Sequence, residues 1–222
     1  MSTQVRFDFR ALAARTALLV VDMQRMFLEP ASPLCIPGGL ALIPRLNSLA
    51  AHCRRLKVPV LYSATVYRKD GLDLGLATQA LPPWTDLAPL LVDPEWQALH
   101  AELQRQESDP FFAKTRYSVF YKTGLGEWLS KHGRDTLIIG GVASAVCCAS
   151  TARDAYFRDL RPIVLADCSA TYGIADMGYG AFSADQMHRM MLTDLARHCA
   201  RVARSEAVVA ELGQSSLSIK EG

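Results

Sequence analysis

Asp135-Thr-Leu-Ile-Ile-Gly-Gly-Val-Ala-Ser-Ala-Val-Cys-Cys-Ala-Ser-Thr-Ala-Arg-Asp154 is the stretch whose reading decides the fold. It opens with an apolar run rich in β-branched residues, Thr136 to Ile139, which reads as a buried strand. Gly140-Gly141 then lets the backbone turn without a Cβ penalty. Ser144 reads as an N-cap, and Ala145 to Leu160 as the helix that follows. Cys147 thereby falls in a first helical turn, just past the carboxyl end of a strand. Unpaired N–H groups and the helix dipole are expected to lower a thiol's pKa there. A buried, inert cysteine is the other reading of the same residue, and placement alone leaves both open.

Outward from that stretch the chain alternates strand and helix. Ala17-Leu-Leu-Val-Val-Asp-Met23 is an apolar run closing on a carboxylate. A loop with Pro30, Pro33, Pro37 and Gly38-Gly39 leads to a helix over Ala41 to Leu56, where Leu42, Leu46, Leu49 and Cys53 share a face. Val58 to Val66 reads as the second strand. Tyr67 to Pro94 shows no period and holds Gly71, Gly75, Pro82 and Pro83, so it reads as a long lid or specificity loop. A short helix over Trp96 to Gln106, a brief strand Phe111 to Lys114 and a helix over Leu125 to His132 come next. Beyond the central unit lie a strand Pro162 to Ala166 closing on Asp167 and an amphipathic helix Ala184 to Ala200. An edge strand Arg201 to Ser205, a helix Glu206 to Leu212 and a polar, frayed tail from Gly213 complete the chain.

Such alternation predicts a three-layer α/β/α fold around a central, mostly parallel, Rossmann-like sheet. Residues 1–222 read as one domain with a core from about residue 16 to 212, in keeping with 222 residues of which 50% are hydrophobic. A net charge of +2 without a basic cluster argues against nucleic acid. No apolar stretch reaches membrane-span length, and Met1 to Arg15 lacks a signal-peptide core. Six cysteines occur without CxxC spacing or paired histidines. Neither zinc nor a disulfide framework is expected, and the chain reads as reduced and cytoplasmic. No G-x-G-x-x-G follows the first strand, which disfavours a dinucleotide binder.

Right-handed crossovers gather the carboxyl ends of parallel strands on one edge. Two runs besides the central one end there in charge, at Asp22 and Lys114. Taken singly, an Asp after a strand reads as a turn residue and a Lys as solvated. Together with Cys147 they supply a nucleophile, a base and a cation on one edge of one sheet.

With those residues in view, the sequence resembles the isochorismatase-like cysteine hydrolases, which include N-carbamoylsarcosine amidohydrolases, ureidoacrylate and biuret hydrolases, nicotinamidases and isochorismatases. The resemblance is carried by Leu18-Leu-Val-Val-Asp-Met-Gln24, Lys114-Thr-Arg-Tyr-Ser-Val-Phe120 and Gly141-Val-Ala-Ser-Ala-Val-Cys147. Ser150-Thr-Ala-Arg-Asp-Ala-Tyr156 and His188 continue it in the same order. It implies Asp22 as general base, Lys114 as supporting cation and Cys147 as nucleophile. The Val142–Ala143 turn is implied to carry a non-proline cis peptide, with the backbone N–H groups of Ala143 and Cys147 as oxyanion donors. Phe27 and Tyr117 are the implied substrate-contacting residues, and each also reads as packing. Cys148 reads as a packed spectator and His188 as a structural histidine.

No histidine lies between His52 and His100, so the nicotinamidase metal motif is missing from the segment after the second strand. No metal or other cofactor is therefore expected. The resemblance implies cleavage of a C–N bond in a small amide or carbamoyl/ureido compound through a thioester, and a homo-oligomer, dimer or tetramer. The alternatives are an isochorismatase-type hydrolase of a vinyl ether and a non-catalytic interaction protein that retains the fold.

Overall fold

Thr16–Val21 (β1) has no residue facing solvent: all six are buried, so helices must cover both sides of this strand. The same holds for Val60–Thr65 (β2) and Thr136–Val142 (β4). In the computed structural model, which describes residues 7–76 and 84–217, these strands join Phe111–Lys114 (β3), Arg161–Ala170 (β5) and Arg201–Ala203 (β6). The six form one sheet in the order β3-β2-β1-β4-β5-β6, and every pair is parallel.

Side-chain alternation along β1 divides the core. Leu18 and Val20 face Ile43–Arg55 (α2) and Ser205–Leu217 (α8), through Leu46, Leu49, Val208 and Leu212. Ala17, Leu19 and Val21 face the other layer, built from Leu125–Lys131 (α5), Ala149–Tyr156 (α6) and Ala184–His198 (α7). The predicted three-layer α/β/α architecture is therefore present. Chain winding runs outward from β1 to β3, returns to β4 beside β1, then continues to β6. The reversal at β1/β4 opens a crevice at the carboxyl edge, as doubly wound sheets do. Among the described residues no helix is long and apolar enough to cross a membrane.

Several boundaries differ from the sequence reading, each for a local reason. The strand expected to stop at Ile139 runs through both glycines to Val142, with a register shift against β5 between Ile139 and Gly141. The helix expected over Ala145 to Leu160 is two pieces: a π-helical turn Ser144–Cys148, then α6, which ends at Tyr156. Ser144 is not an N-cap. Ala143 holds that position, and the Ser144 hydroxyl is bonded instead to His188 Nδ1 at 2.8 Å.

The helix expected over Trp96 to Gln106 is one turn, Pro94–Gln97 (preceded by Trp84–Val92; in chain order α4 and α3). It ends because residues 98–100 bond to the chain after β1, Arg25 N–H to Ala98 O and His100 N–H to Met23 O. The segment Tyr67 to Pro94, read as loop throughout, contains α3, while 77–83 with Pro82 and Pro83 lie outside the described residues. Asp167 falls inside β5 rather than after it, and its carboxylate accepts from Ser205 N and Oγ, both at 2.8 Å, capping α8. That helix continues through Gly213 to Leu217, and 218–222 of the expected tail lie outside the described residues. Arg25–Leu28 (α1) is a further short helix after β1.

Gly141 is the tightest point of the sheet. It pairs with Val21, has φ +116°, and a Cβ there would lie 2.1 Å from the Val21 carbonyl oxygen. No side chain fits. Gly141→Ala is expected to lower the unfolding free energy by about 3 kcal/mol, through both clash and an unfavourable backbone region. Gly133 also has positive φ, +61°, but a Cβ there meets nothing within 4 Å. Gly133→Ala should cost only about 1 kcal/mol. Denaturant unfolding of both variants measures the difference, and equal losses would show that β1 yields at Val21.

Candidate active site

Asp22, Lys114 and Cys147 meet at the carboxyl edge, each brought there by a different strand. Asp22 follows β1 with φ +51°, a left-handed conformation that Asp tolerates better than most residues, and the chain turns there. Lys114 ends β3, two strands away from β1. Neighbouring strands lie about 4.8 Å apart, so only a long side chain crosses β2 to reach Asp22. Its Nζ sits 2.6 Å from Asp22 Oδ2, and both side chains are fully buried. The same ammonium donates to Thr65 Oγ1 at 2.8 Å and lies 3.4 Å from Cys147 Sγ. Cys147 arrives on the π-helical turn after β4, because Gly141 lets β4 run close beside β1.

The carboxylate is saturated with donors. Ser63 Oγ donates to Asp22 Oδ1 at 2.8 Å, and Thr65 Oγ1 to Oδ2 at 3.2 Å. Both hydroxyls come from β2, which the register sets beside Val21 and Lys114. Gln24 fixes the position of Thr65: its Nε2 donates to Thr65 O at 2.8 Å and Gln97 O at 2.6 Å, while its Oε1 accepts from Thr65 N. Sequence reasoning assigned no role to Ser63, Thr65 or Gln24. The available signal was the period-two pair of hydroxyls closing an otherwise apolar strand.

Burial governs the thiol. It pushes Cys147 up to about 12, helped by hydrogen bonding to Asp22 and its negative charge, and opposed by Lys114. The expected lowering at a helix start is thus outweighed, because desolvation and an adjacent carboxylate act together on a buried group. The thiol therefore favours its protonated form beside the Asp22 carboxylate. For Lys114 burial alone would lower the ammonium's pKa, yet the charge of Asp22 beside it raises it above the usual range, so it stays charged.

A cavity of about 340 Å³ opens over Cys147. Phe27 and Tyr117 both line it, as do Ala143 and three residues not foreseen, Tyr67, Arg116 and Tyr172. Burial raises the pKa of Tyr67 and Tyr172, so both hydroxyls are neutral donors. The Val142–Ala143 peptide is cis, as the resemblance implied; Val142 itself is fully buried as the last residue of β4. Cys148 is completely buried, with its thiol pKa pushed well above normal by desolvation. His188 has both ring nitrogens engaged, Nδ1 with Ser144 and Nε2 with Ala166 O at 3.0 Å, which makes it a strut between α7 and the turn. Among the described residues no group of three His, Cys, Asp or Glu side chains is arranged to hold a metal ion.

The thiol's high pKa and its cation neighbour give a direct expectation. Alkylation of Cys147 by iodoacetamide should be slow at neutral pH and still climbing above about pH 10, since only the thiolate reacts. Lys114→Met removes the interaction that favours the thiolate, so the labelling midpoint must move to still higher pH. The same variant leaves Asp22 buried without its counter-charge and should cost roughly 3–5 kcal/mol of stability. Mass spectrometry of labelled peptides across a pH series, with a thermal melt alongside, checks both. An unmoved midpoint in a folded Lys114→Met protein would remove Lys114 from the account.

Comparison with known proteins places the chain in a family. Residues 16–207 match the isochorismatase domain. Enterobactin synthase component B of Escherichia coli K12 is 31% identical over 219 residues, covering 98% of this chain and 71% of that protein. Ureidoacrylate amidohydrolase RutB of Methylorubrum extorquens is 30% identical over 221 residues, 91% of this chain and 87% of its own length. Among solved structures, a cysteine hydrolase from Pseudomonas syringae pv. phaseolicola superposes with a TM-score of 0.88 at 29% identity, covering 97% of this chain and all of that one. The chain belongs to the isochorismatase-like hydrolase family.

Proposed function

We propose that this protein is a cysteine hydrolase that cleaves the C–N bond of a small amide or carbamoyl/ureido compound. The observation that carries the reading is one buried cluster, Asp22–Lys114–Cys147, facing the cavity. A protonated thiol beside a carboxylate has a defined use. As Cys147 Sγ attacks the carbonyl carbon, its proton passes to Asp22, and the tetrahedral oxyanion is taken by the backbone N–H groups of Ala143 and Cys147. Asp22 returns the proton to the leaving nitrogen, so ammonia or an amine departs and a thioester remains. Water then gives a proton to Asp22, attacks the thioester carbon, and the thiol recovers its proton as the acid product leaves. Lys114 stays charged throughout and holds the thiolate and the carboxylate in their ionised forms at the moments each appears. Phe27 and Tyr117 form the substrate wall.

Acid-catalysed cleavage of a vinyl ether, the rival reading that the family name suggests, has no step for a thiol. Cys147→Ser separates the two. It is expected to lower kcat/KM for amide hydrolysis by about a thousandfold or more, because it removes the nucleophile itself. Cys148→Ser should keep turnover while losing stability, since a hydroxyl replaces a buried thiol. Ammonia release from a panel of small amides and ureides supplies the measurement; full activity in Cys147→Ser would favour the ether chemistry.

The three side chains supply every proton and charge the cycle needs. Activity should accordingly survive dialysis against EDTA. Loss that zinc, iron or manganese restores would reveal a metal-dependent step.

A further inference from the structure

The sequence shows no basic cluster, yet the fold makes one. Arg15 precedes β1, Arg134 precedes β4 and Arg158 follows α6, so the chain winding brings all three to the amino edge of the sheet. With Asp135 they line a cleft of about 490 Å³, at the opposite end of the strands from Asp22 and Cys147. Gly126 and Gly133 leave parts of its wall without side chains.

Positive charge is left over there. Asp135 is the one carboxylate in the lining. Its Oδ2 is shared between Arg15 and Arg161, and its Oδ1 accepts from Thr136 Oγ1 at 3.0 Å. Arg158 pairs with Asp154 at 3.2 Å, and the Phe120 ring lies 4.8 Å from its Cζ, bracing the guanidinium. Arg134 has no carboxylate partner among the described residues. Its Nη1 donates to the carbonyl oxygens of Ala13 at 2.9 Å and Ala14 at 2.8 Å, which orient the guanidinium without neutralising it.

A second observation points to a ligand. Arg134 Nε is buried without a hydrogen-bond partner among the described residues. So is the hydroxyl of Thr16, a fully buried residue whose carbonyl oxygen lies 3.4 Å from Arg134 Nη1. Unpartnered polar atoms in an interior are costly and uncommon. Burial also lowers the pKa of Arg134, so a neighbouring anion would stabilise its charge. An oxyanion brings negative charge and several acceptor oxygens together, which suits guanidiniums set around one cleft.

We propose that this cleft binds a phosphate-type oxyanion, as free phosphate or as the phosphoryl group of a small organic ester, through Arg15, Arg134 and Arg158. The site is separate from the thiol and does not depend on the hydrolase reading. It stands at the paired first residues of β1 and β4, Thr16 and Thr136, on the two strands that lead to Asp22 and Cys147.

Calorimetric titration of the full chain with inorganic phosphate, against sodium chloride at matched ionic strength, tests this. Phosphate should bind saturably where chloride does not. Arg15→Gln and Arg158→Gln should each weaken phosphate by about tenfold or more, the range for a charged hydrogen bond. Arg158→Lys should recover part of that loss. Arg134 is left intact because it also holds the chain before β1, and thermal melts establish that the variants fold. Arg189→Gln, an exposed change on α7 outside the cleft, should leave phosphate binding as it was. Glycerol 3-phosphate, with glycerol as its control, separates the two sources. Binding at least as tight as phosphate assigns an organic ester, and binding of inorganic phosphate alone assigns the free ion; both uphold the site. No saturable binding, equal weakening by Arg189→Gln, or binding that Arg116→Gln abolishes and Arg158→Gln spares overturns it.

Discussion

A fully buried ion pair between Lys114 and Asp22 is the interaction on which the rest of the site depends. Removing two charges from water costs several kcal/mol per ion, and their attraction offsets this only when geometry and further hydrogen bonds are good. Ser63 and Thr65 supply those bonds, and both come from β2, the strand lying between the two charges. The strand order β3-β2-β1 is thus a condition of this ion pair. A different neighbour for β1 would leave Asp22 buried without a cation, which is the expensive outcome for a carboxylate in an apolar core.

The other half of the site is a matter of close approach. Cys147 can stand 3.4 Å from Lys114 Nζ because β4 lies against β1 up to its last residues, and that approach requires the absence of a side chain at Gly141. Beyond it the chain makes a π-helical turn before settling into α6. Ser144 and His188 tie this turn to α7 and, through Ala166, to β5. Cys147 therefore sits on a segment held from three sides. Such support suits the nucleophilic role proposed for it, in which position relative to a substrate carbonyl controls the rate.

The Asp22–Lys114 pair is buried and electrically balanced. The cavity wall above it is mostly apolar, with neutral tyrosine hydroxyls and one guanidinium. The wall residues come from the segments at or beyond the carboxyl ends of β1, β2, β3, β4 and β5.

Much of this was legible in the sequence. The continuous apolar runs of β1, β2 and β4 declare strands buried on both faces, and period and termini placed α2, α5 and α7 within a few residues. The charges closing β1 and β3 were visible because a polar residue at the end of such a run has few structural uses. Where reading failed, a tertiary contact had overridden a local preference. Ser144 has an N-cap's chemistry, but His188 claims its hydroxyl. The helix α3 went unread for a local reason, because its segment shows no clear period and opens with Gly71, Gly75, Pro82 and Pro83. Residues after Gln97 left their helical pattern to bond to the chain beyond β1. The sequence alone thus determined the α/β/α fold and singled out Asp22, Lys114 and Cys147, the three residues that the structure brings together. Tertiary structure alone decided the protonation of the thiol, the support from Ser63 and Thr65, and the presence of Tyr67, Arg116 and Tyr172 around the cavity. Burial and the proximity of groups distant along the chain set those properties, and neither is a property of a residue's neighbours in sequence.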